Sequence, residues 1–219
     1  MLQRFASLVI FGGERRPSAS SEGAAAQPKI WRRLFHVLAG SCIPIAGIFA
    51  PEDGLLIALS VLAAGGLALD LARFGIGPLN RVYLRWMAPL LKSDEATHIT
   101  GATYMLIAAA LVFFLFGKNV AVPVMFFLSL GDPAAAIAGR RMPGPRLLGK
   151  SPGGTAAFAA VGAAVVGLLL GAGAIEYHWA LWAGAGIAAV VELAGIPPDD
   201  NLSIPMIAGT AMWAMMQVF

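Results

Sequence analysis

Long apolar stretches alternate with short polar segments along most of this sequence. A membrane-spanning helix needs about 20 predominantly apolar residues, with a usual range of about 17–25. Seven stretches meet this requirement: 34–50, 54–73, 99–116, 119–139, 155–173, 178–196 and 203–219. The pattern therefore predicts an all-α, polytopic membrane protein with about seven transmembrane helices.

Residues 76–92 follow a different pattern and are too polar to cross a membrane. Arg81 and Arg85 are four residues apart, and apolar residues lie between and beside them. Residues at this spacing share one face of a helix, so the segment is typical of an amphipathic helix lying in the membrane interface. A plain connecting loop is the alternative.

The composition excludes a sizeable soluble domain. Of the 219 residues, 58% are hydrophobic and only 12% are charged, whereas soluble domains contain roughly 25% charged residues. We therefore expect residues 1–28 to be a flexible cytoplasmic N-terminal segment and residues 29–219 to form a single transmembrane catalytic domain. The chain has one cysteine, Cys42, so an intrachain disulfide is excluded.

The basic residues indicate the orientation of the chain. With the N-terminus in the cytoplasm, every one of the 15 lysines and arginines except Lys118 falls in a cytoplasmic segment. This agrees with the positive-inside rule. Because membrane topology explains the positive charge, we expect no nucleic acid partner. The expected location is the plasma membrane of a bacterium or archaeon, as an integral multi-pass protein.

The ionisable residues also gather toward this cytoplasmic end. A transporter is expected to place such groups near the middle of the membrane, often on broken helices. A cluster on one side instead indicates chemistry at the cytoplasmic interface, with membrane lipids as neighbours. Small residues in the spans allow close helix packing, within one chain or between the chains of a homo-oligomer.

The segment Gly131–Thr155 carries the densest set of candidate functional residues. Asp132 lies about 20 Å into a hydrocarbon core that is about 30 Å thick, where a lone carboxylate is costly. Gly131 can interrupt the helix, and Pro133 suits the first turn of a new one. We expect Asp132 to cap a re-entering helix and to bind a divalent metal, with capping alone as the alternative.

The second half of this segment is basic and rich in glycine. Arg140, Lys150, Ser151 and the backbone N–H groups near Gly149 and Gly154 can form an anion cradle. The run from Gly144 to Ser151 also satisfies a phosphate-loop pattern. That motif requires a β-strand before it, and a membrane helix precedes it here, so we interpret the match as a coincidence. Charges that only set the topology are the alternative for the arginines.

An acidic loop faces the same side of the membrane. Asp199, Asp200 and Asn201 supply oxygen ligands of the kind that Mg²⁺ prefers. In phosphoryl transfer, magnesium bridges nucleotide phosphates between such carboxylates and nearby cations. The sequence thus predicts a metal site from Asp132, Asp199 and Asp200. The alternative is a polar turn that caps a helix.

Further candidates lie at the same ends of other spans. His36, three residues after Arg33, can act as a base or bind a substrate hydroxyl, or can be satisfied by the backbone. Asp70 is a second candidate base, although it can simply pair with Arg73 three residues later. His98 and Glu192 are possible supporting residues in the same region.

Several motifs occur together over about residues 29–210. They are RRLFH at 32–36, the Asp70–Arg73 pair, GDPAAAIAGR at 131–140, GKSPGGT at 149–155, and DDNLSIP at 199–205. This set resembles the CTP-dependent lipid-alcohol kinases, namely dolichol kinase, phytol kinase and the yeast-type diacylglycerol kinase. More distantly, it is similar to the CDP-diacylglycerol synthases.

The resemblance implies transfer of the γ-phosphate of CTP to a lipid alcohol, with Mg²⁺ or another divalent cation. It implies that Asp132 binds metal or orients phosphate. Lys150 and Ser151 would hold the CTP phosphates near Arg140, and Asp200 and Asn201 would complete the site. The chain departs from the family at Gly153, where relatives often carry glutamate.

The expected function is therefore a CTP- and Mg²⁺-dependent kinase that phosphorylates a polyprenol-type lipid such as dolichol, polyprenol or phytol. His36 or Asp70 would accept the proton of the hydroxyl group. Two alternatives remain open at this stage. One is a CTP-dependent cytidylyltransferase that makes a CDP-lipid, and the other is a non-enzymatic lipid transporter.

Overall fold

The computed structural model describes residues 20–92, 95–142 and 146–218. In these ranges the chain forms eight helices and no β-strand, so the predicted all-α class is confirmed. The helices are α1 (Ser20–Phe49), α2 (Glu52–Gly75), α3 (Gly77–Met87), α4 (Gly101–Phe116), α5 (Lys118–Arg141), α6 (Pro152–Gly171), α7 (Ala180–Ala194) and α8 (Asp200–Val218).

Each of the seven predicted spans coincides with one of these helices. Four helices have a segment long and apolar enough to cross a membrane: Trp31–Phe49 in α1, all of α2, all of α5 and all of α6. α4 and α7 are apolar but shorter, with 16 and 15 residues. The count of seven spans and the cytoplasmic N-terminus stay predictions.

The structure differs from the expected flexible segment 1–28. Residues 1–19 lie outside the described residues, but the chain is helical from Ser20 onward. The interface helix predicted within 76–92 corresponds to α3, which buries none of its residues. Its Trp86 side chain is exposed, and the position of α3 in a membrane interface stays a prediction.

α5 is the central helix of the bundle. In its spanning segment 67% of the residues are buried, against 22% in α1 and 22% in α2. It packs against α1, α4, α6, α7 and α8, and Met125, Phe127 and Leu128 are fully buried within it. Because every neighbour rests on α5, residues at its polar end are brought close to several other helices.

Two glycines permit the closest of these approaches. A Cβ atom on Gly40 of α1 would lie 2.9 Å from Cβ of Ser129, and one on Gly154 of α6 would lie 2.8 Å from the carbonyl oxygen of Ala135. Small residues allow helix backbones to approach in this way. α1 and α6 therefore both reach α5 close to the polar end of the bundle.

Candidate functional site

One end of the bundle contains a cavity of about 310 Å³. It is enclosed by α1, α3, α4, α5, α8 and the loop between α3 and α4, which are far apart in the sequence. Its charged and strongly polar lining residues are Arg32, Arg33, His36, Lys92, Glu95, Thr100, Asp132, Asp200 and Asn201. Residues of α1, α5 and α8 thus line one cavity.

Asp132 lines this cavity but does not cap a new helix, which corrects the expectation for it. Its backbone is helical (φ −60°, ψ −48°), and α5 runs through it without a break. The helix instead widens into one π-helical turn, Phe127–Gly131. Pro133 lacks an N–H group and its ring crowds the preceding turn, and a wider turn next to it relieves that conflict. The partly exposed Asp132 carboxyl group is left beside the cavity.

His36 lies on α1 and contacts this turn directly. Its Nε2 atom is 3.3 Å from the carbonyl oxygen of Leu128, inside the π-helical turn, and an Nε2–H group donates to that oxygen. Both expectations for His36 are therefore compatible with its place: one ring nitrogen is satisfied by the backbone, and the ring lines the cavity.

Asp199 caps α8. Its Oδ1 atom accepts hydrogen bonds from the backbone N–H of Asn201 at 2.9 Å and from Asn201 Nδ2 at 2.6 Å. Its Oδ2 atom accepts one from Lys92 Nζ at 2.5 Å. Both carboxylate oxygens are engaged by the protein, and Asp199 does not line the cavity. The geometry favours the helix-cap alternative for this residue over the role of metal ligand.

Lys150 connects the basic loop to the acidic residues. Its Nζ atom lies 2.9 Å from Asp200 Oδ2 and 3.1 Å from Glu192 Oε1, and it also donates to the backbone carbonyl of Glu192. All three ammonium protons thus have acceptors within the protein. Lys150 is placed against the predicted metal ligand Asp200 rather than free in an anion cradle.

A tight hairpin turn delivers Lys150 to this position. Leu147 and Lys150 exchange two backbone hydrogen bonds of 2.8 and 2.9 Å. The two residues between them have positive φ angles, 51° at Leu148 and 83° at Gly149, which is typical of a type I′ turn. Gly149 is required here for its backbone conformation, and we infer no phosphate contact from it.

Lys92 and Lys150 both lie in loops, and nearby carboxylates raise the pKa of each side chain. Burial lowers the pKa of Lys150, but the hydrogen bond to Asp200 and the charges of Asp200 and Glu192 outweigh it, and the pKa lies above the ordinary 10.5. Burial also lowers the pKa of Lys92, and its hydrogen bond and charge interaction with Asp199 again raise it above 10.5. Both ammonium groups are therefore charged at neutral pH.

The residues fit a divalent cation only in part. In the described portion of the chain, no three His, Cys, Asp or Glu side chains are grouped so that they could hold a metal ion. The predicted triad fails because Asp199 is turned to Lys92 and Asn201. Asp132 and Asp200 still face one cavity. One or two carboxylates are what Mg²⁺ uses when substrate phosphates and water complete its shell.

The Asp70–Arg73 pair forms a buried structural centre beside the cavity. Arg73 Nε lies 2.7 Å from Asp70 Oδ1, with Arg73 0% and Asp70 1% exposed. The other oxygen of Asp70 accepts from the N–H and the hydroxyl of Thr100, at 3.0 and 3.2 Å. A carboxylate committed in this way is poorly placed to accept a substrate proton, and the pairing alternative fits the geometry.

Arg73 also fixes the loop that forms one wall of the cavity. Its NH2 group donates to the carbonyl oxygens of Glu95 at 2.8 Å and His98 at 2.7 Å, and its NH1 group donates to that of Ala96 at 3.3 Å. His98 does not line the cavity. Its carbonyl group, rather than its ring, makes the contact with Arg73.

Glu95 and Lys92 are not among the site residues that the sequence predicts. Glu95 Oε1 accepts from the N–H of Gly101 at 2.8 Å, at the start of α4, and its Oε2 accepts from the N–H of Lys92 at 2.9 Å. Both residues line the cavity. For Glu95 the available signal was its position shortly before the N-terminus of α4, where an acidic side chain is favoured; that signal does not apply to the basic Lys92.

The remaining predicted residues lie outside the cavity. Arg140 is exposed in the last turn of α5, next to Arg141 and Arg33. Ser151 precedes α6 and makes no capping hydrogen bond through its side chain. Gly154 packs against the backbone of α5. Ser151 and Gly154 lie together against Gly139 of α5, the residue before Arg140, but none of the three predicted cradle residues Arg140, Ser151 and Gly154 lines the cavity.

Known proteins offer little to compare with this arrangement. No protein-family model matches the chain, and no solved structure matches it. An uncharacterised protein of Rickettsia prowazekii (strain Madrid E) is 25% identical over 130 residues, which are 58% of this chain and 63% of that protein. The chain thus matches a little over three fifths of that relative's length.

Proposed function

We propose that this protein is an enzyme that transfers the γ-phosphate of CTP to the hydroxyl group of a polyprenol-type lipid alcohol. One observation carries the proposal. Two acidic residues, Asp132 and Asp200, and two arginines, Arg32 and Arg33, face a single cavity at one end of a helical bundle. The choice of CTP over other nucleotides rests on the sequence resemblance.

The walls of the cavity suit a substrate with a small polar head and a long apolar tail. Besides the charged groups, the lining includes the apolar residues Phe35, Met87, Leu90, Leu91, Met105 and Ala136. A lipid alcohol has one hydroxyl group for the polar side and an isoprenoid chain for the apolar side. The acceptor would thus place its hydroxyl group among the charges and its chain along the apolar wall.

Catalysis in this proposal is mainly positioning and charge neutralisation, which phosphoryl transfer requires above all. Arg32 would bind phosphate oxygens, and the positive charge of Arg33 beside it would add to the attraction of the cavity for anions. Asp132 and Asp200 would hold a magnesium ion, whose contribution is to neutralise charge on the phosphates. Lys150 would act as a positioning residue, since its ion pair holds Asp200 at the cavity.

His36 is the proposed base. Its Nε2–H group donates to the Leu128 carbonyl oxygen, which leaves Nδ1 as the ring atom that can take the hydroxyl proton. Asp70 is not assigned this role, because Arg73 and Thr100 engage both of its oxygens. It would instead support the wall of the cavity.

The test uses the full purified chain in detergent or nanodiscs, with prenols of several lengths and Mg²⁺. CTP is supplied with label in either the γ- or the α-phosphate. The expected result is γ-label in the lipid and CDP as the other product. α-label in the lipid with release of pyrophosphate would instead identify a cytidylyltransferase, and no labelled lipid with CTP, ATP or GTP would refute both.

Asp132→Asn is the sharpest variant for this assay. It keeps the size of the side chain in the continuous helix but removes the charge, and we expect kcat/KM to fall by a factor of about 10² or more. The matched control is Asp53→Asn, which removes an exposed acid from the first turn of α2. Wild-type activity in Asp132→Asn, with wild-type dependence on Mg²⁺, would contradict the assigned role.

A further inference from the structure

We propose that Arg33, Arg140 and Arg141 form a second site, which binds the phosphate group of an anionic membrane lipid on the outer surface between α1 and α5. The proposal does not rest on the proposed kinase activity, although Arg33 lines both sites. It is a groove whose lining consists of these three arginines with Leu34 and Ile137. None of the described residues in this lining is acidic.

The three arginines have no partner in the part of the chain that the structure describes. None of them makes a hydrogen bond or an ion pair there, in contrast to Lys92, Lys150 and Arg73. Arg140 and Arg141 lie in the last turn of α5, where the helix dipole favours a cation. That position explains why positive charge is tolerated, but it supplies no acceptor for the guanidinium N–H groups.

Arg33 gives the strongest indication of a ligand. Its NH1 nitrogen is buried, yet no described residue accepts a hydrogen bond from it. Leaving a buried, charged donor without an acceptor is costly, and nearly all such groups in proteins find one. An anion in the groove would accept from this nitrogen and from the two neighbouring guanidinium groups, and planar guanidinium groups bind phosphate oxygens in pairs.

The apolar part of the groove points to a lipid as the source of this anion. Leu34 is 47% and Ile137 is 40% exposed, and both lie on helices long and apolar enough to cross a membrane. A free phosphate would leave these side chains uncovered. The phosphate of a membrane lipid would bind the arginines while its acyl chains cover the two apolar residues, and basic pockets between spanning helices suit such head groups.

Nucleotide phosphate is the competing source, because Arg33 lines both the groove and the larger cavity. Arg140 and Arg141 line only the groove. A ligand that needs all three arginines therefore lies outside the cavity, on the surface that faces the lipid. This separation gives the experiment its two arms.

The first arm measures lipid binding to the full chain in detergent by native mass spectrometry. Phosphatidylglycerol is titrated against diacylglycerol with the same acyl chains, which has no phosphate. We expect a phosphatidylglycerol adduct on the wild type and at least tenfold weaker binding to the double variant Arg140→Gln/Arg141→Gln. The matched control Arg81→Gln/Arg85→Gln removes the same charge from exposed positions on α3 and should bind as the wild type does.

The second arm adds millimolar CTP with Mg²⁺. Retention of the lipid adduct supports the proposal, and its displacement would assign the arginines to nucleotide phosphate and overturn it. Equal binding by the α5 double variant and the wild type would overturn it as well. If that variant fails to fold, the wild type decides the matter: thermal stabilisation by phosphatidylglycerol but not by diacylglycerol supports the site, and equal effects of both lipids refute it.

Discussion

Arg73 and Arg33 lie near the same end of the bundle and differ in what surrounds them. Arg73 is fully buried, and each of its three nitrogens donates to a side chain or a carbonyl oxygen. Phe74 and Tyr83 also cover it, with ring centroids 4.5 and 4.8 Å from its guanidinium carbon. Arg33 has a buried nitrogen with no acceptor among the described residues. The protein completes the surroundings of Arg73, and the proposed lipid phosphate would complete those of Arg33.

The difference indicates a structural role for Arg73 and a ligand-binding role for Arg33 at this end of the molecule. The corner around Arg73 joins α2, α3 and the loop before α4 into a fixed wall of the cavity. The corner around Arg33, where α1 meets the end of α5, is positively charged and open. Removing each arginine should therefore have opposite effects on the stability of the protein.

The largest effect is expected from Arg73→Met. The substitution leaves the Asp70 carboxylate buried without its cation and frees the carbonyl groups of Glu95 and His98. Breaking a buried ion pair from one side typically costs about 3–5 kcal/mol. We expect a large fall in the midpoint of thermal unfolding, or loss of folded protein. Arg81→Met on the exposed face of α3 is the control, and a similar Tm for both variants would contradict the comparison.

The sequence predicted the Asp70–Arg73 contact but not the hydrogen bonds from Arg73 to the loop before α4. A spacing of three residues places two side chains on one helical face, so the pair itself was predictable. The acceptors in the loop at 95–98 lie more than 20 residues away along the chain. Which carbonyl groups approach Arg73 depends on the path of that loop, and no local pattern encodes it.

The same limit explains the partial prediction of the site. Hydrophobic runs located seven of the eight described helices and the amphipathic pattern located α3, and the grouping of charges at one end followed from where the runs stop. The partners did not follow, because the turn at Leu148 and Gly149 determines that Lys150 meets Asp200. The π-helical turn before Asp132 also escaped prediction, since Gly131 and Pro133 fit a break in a helix as well as a widening of one.

A smaller effect on stability is expected from a substitution at Gly154, where α6 packs against α5. Gly154→Ala would place a Cβ atom 2.8 Å from the carbonyl oxygen of Ala135, and backbone cannot move aside easily. Overpacking of this kind costs about 1–3 kcal/mol. Gly153→Ala is the matched control in the same helical turn: its Cβ atom would meet only the side chain of Met142, first at Sδ and then at Cβ and Cγ, both at 3.3 Å, and this side chain is exposed and can rotate.

The control should unfold at a Tm equal to or above that of the wild type, because alanine is favoured over glycine within helices by up to about 1 kcal/mol. The comparison of Gly153→Ala with Gly154→Ala also tests whether position 153 has room for a side chain such as the glutamate that relatives often carry there. A wild-type Tm in Gly153→Ala would show that a side chain fits there once Met142 turns away. Equal destabilisation by both alanines would mean that α6 is packed tightly along its whole first turn.

The smallest effect, of opposite sign to the first, is expected from Arg33→Met. In lipid-free detergent the substitution removes a buried nitrogen that has no described acceptor, while an unbranched apolar side chain can occupy the same space. We expect Tm to stay equal or to rise slightly, because an unsatisfied buried donor costs stability. Addition of phosphatidylglycerol should then raise the Tm of the wild type above that of the variant. A fall in Tm comparable to that of Arg73→Met, with and without lipid, would mean that Arg33 is as much a structural residue as Arg73.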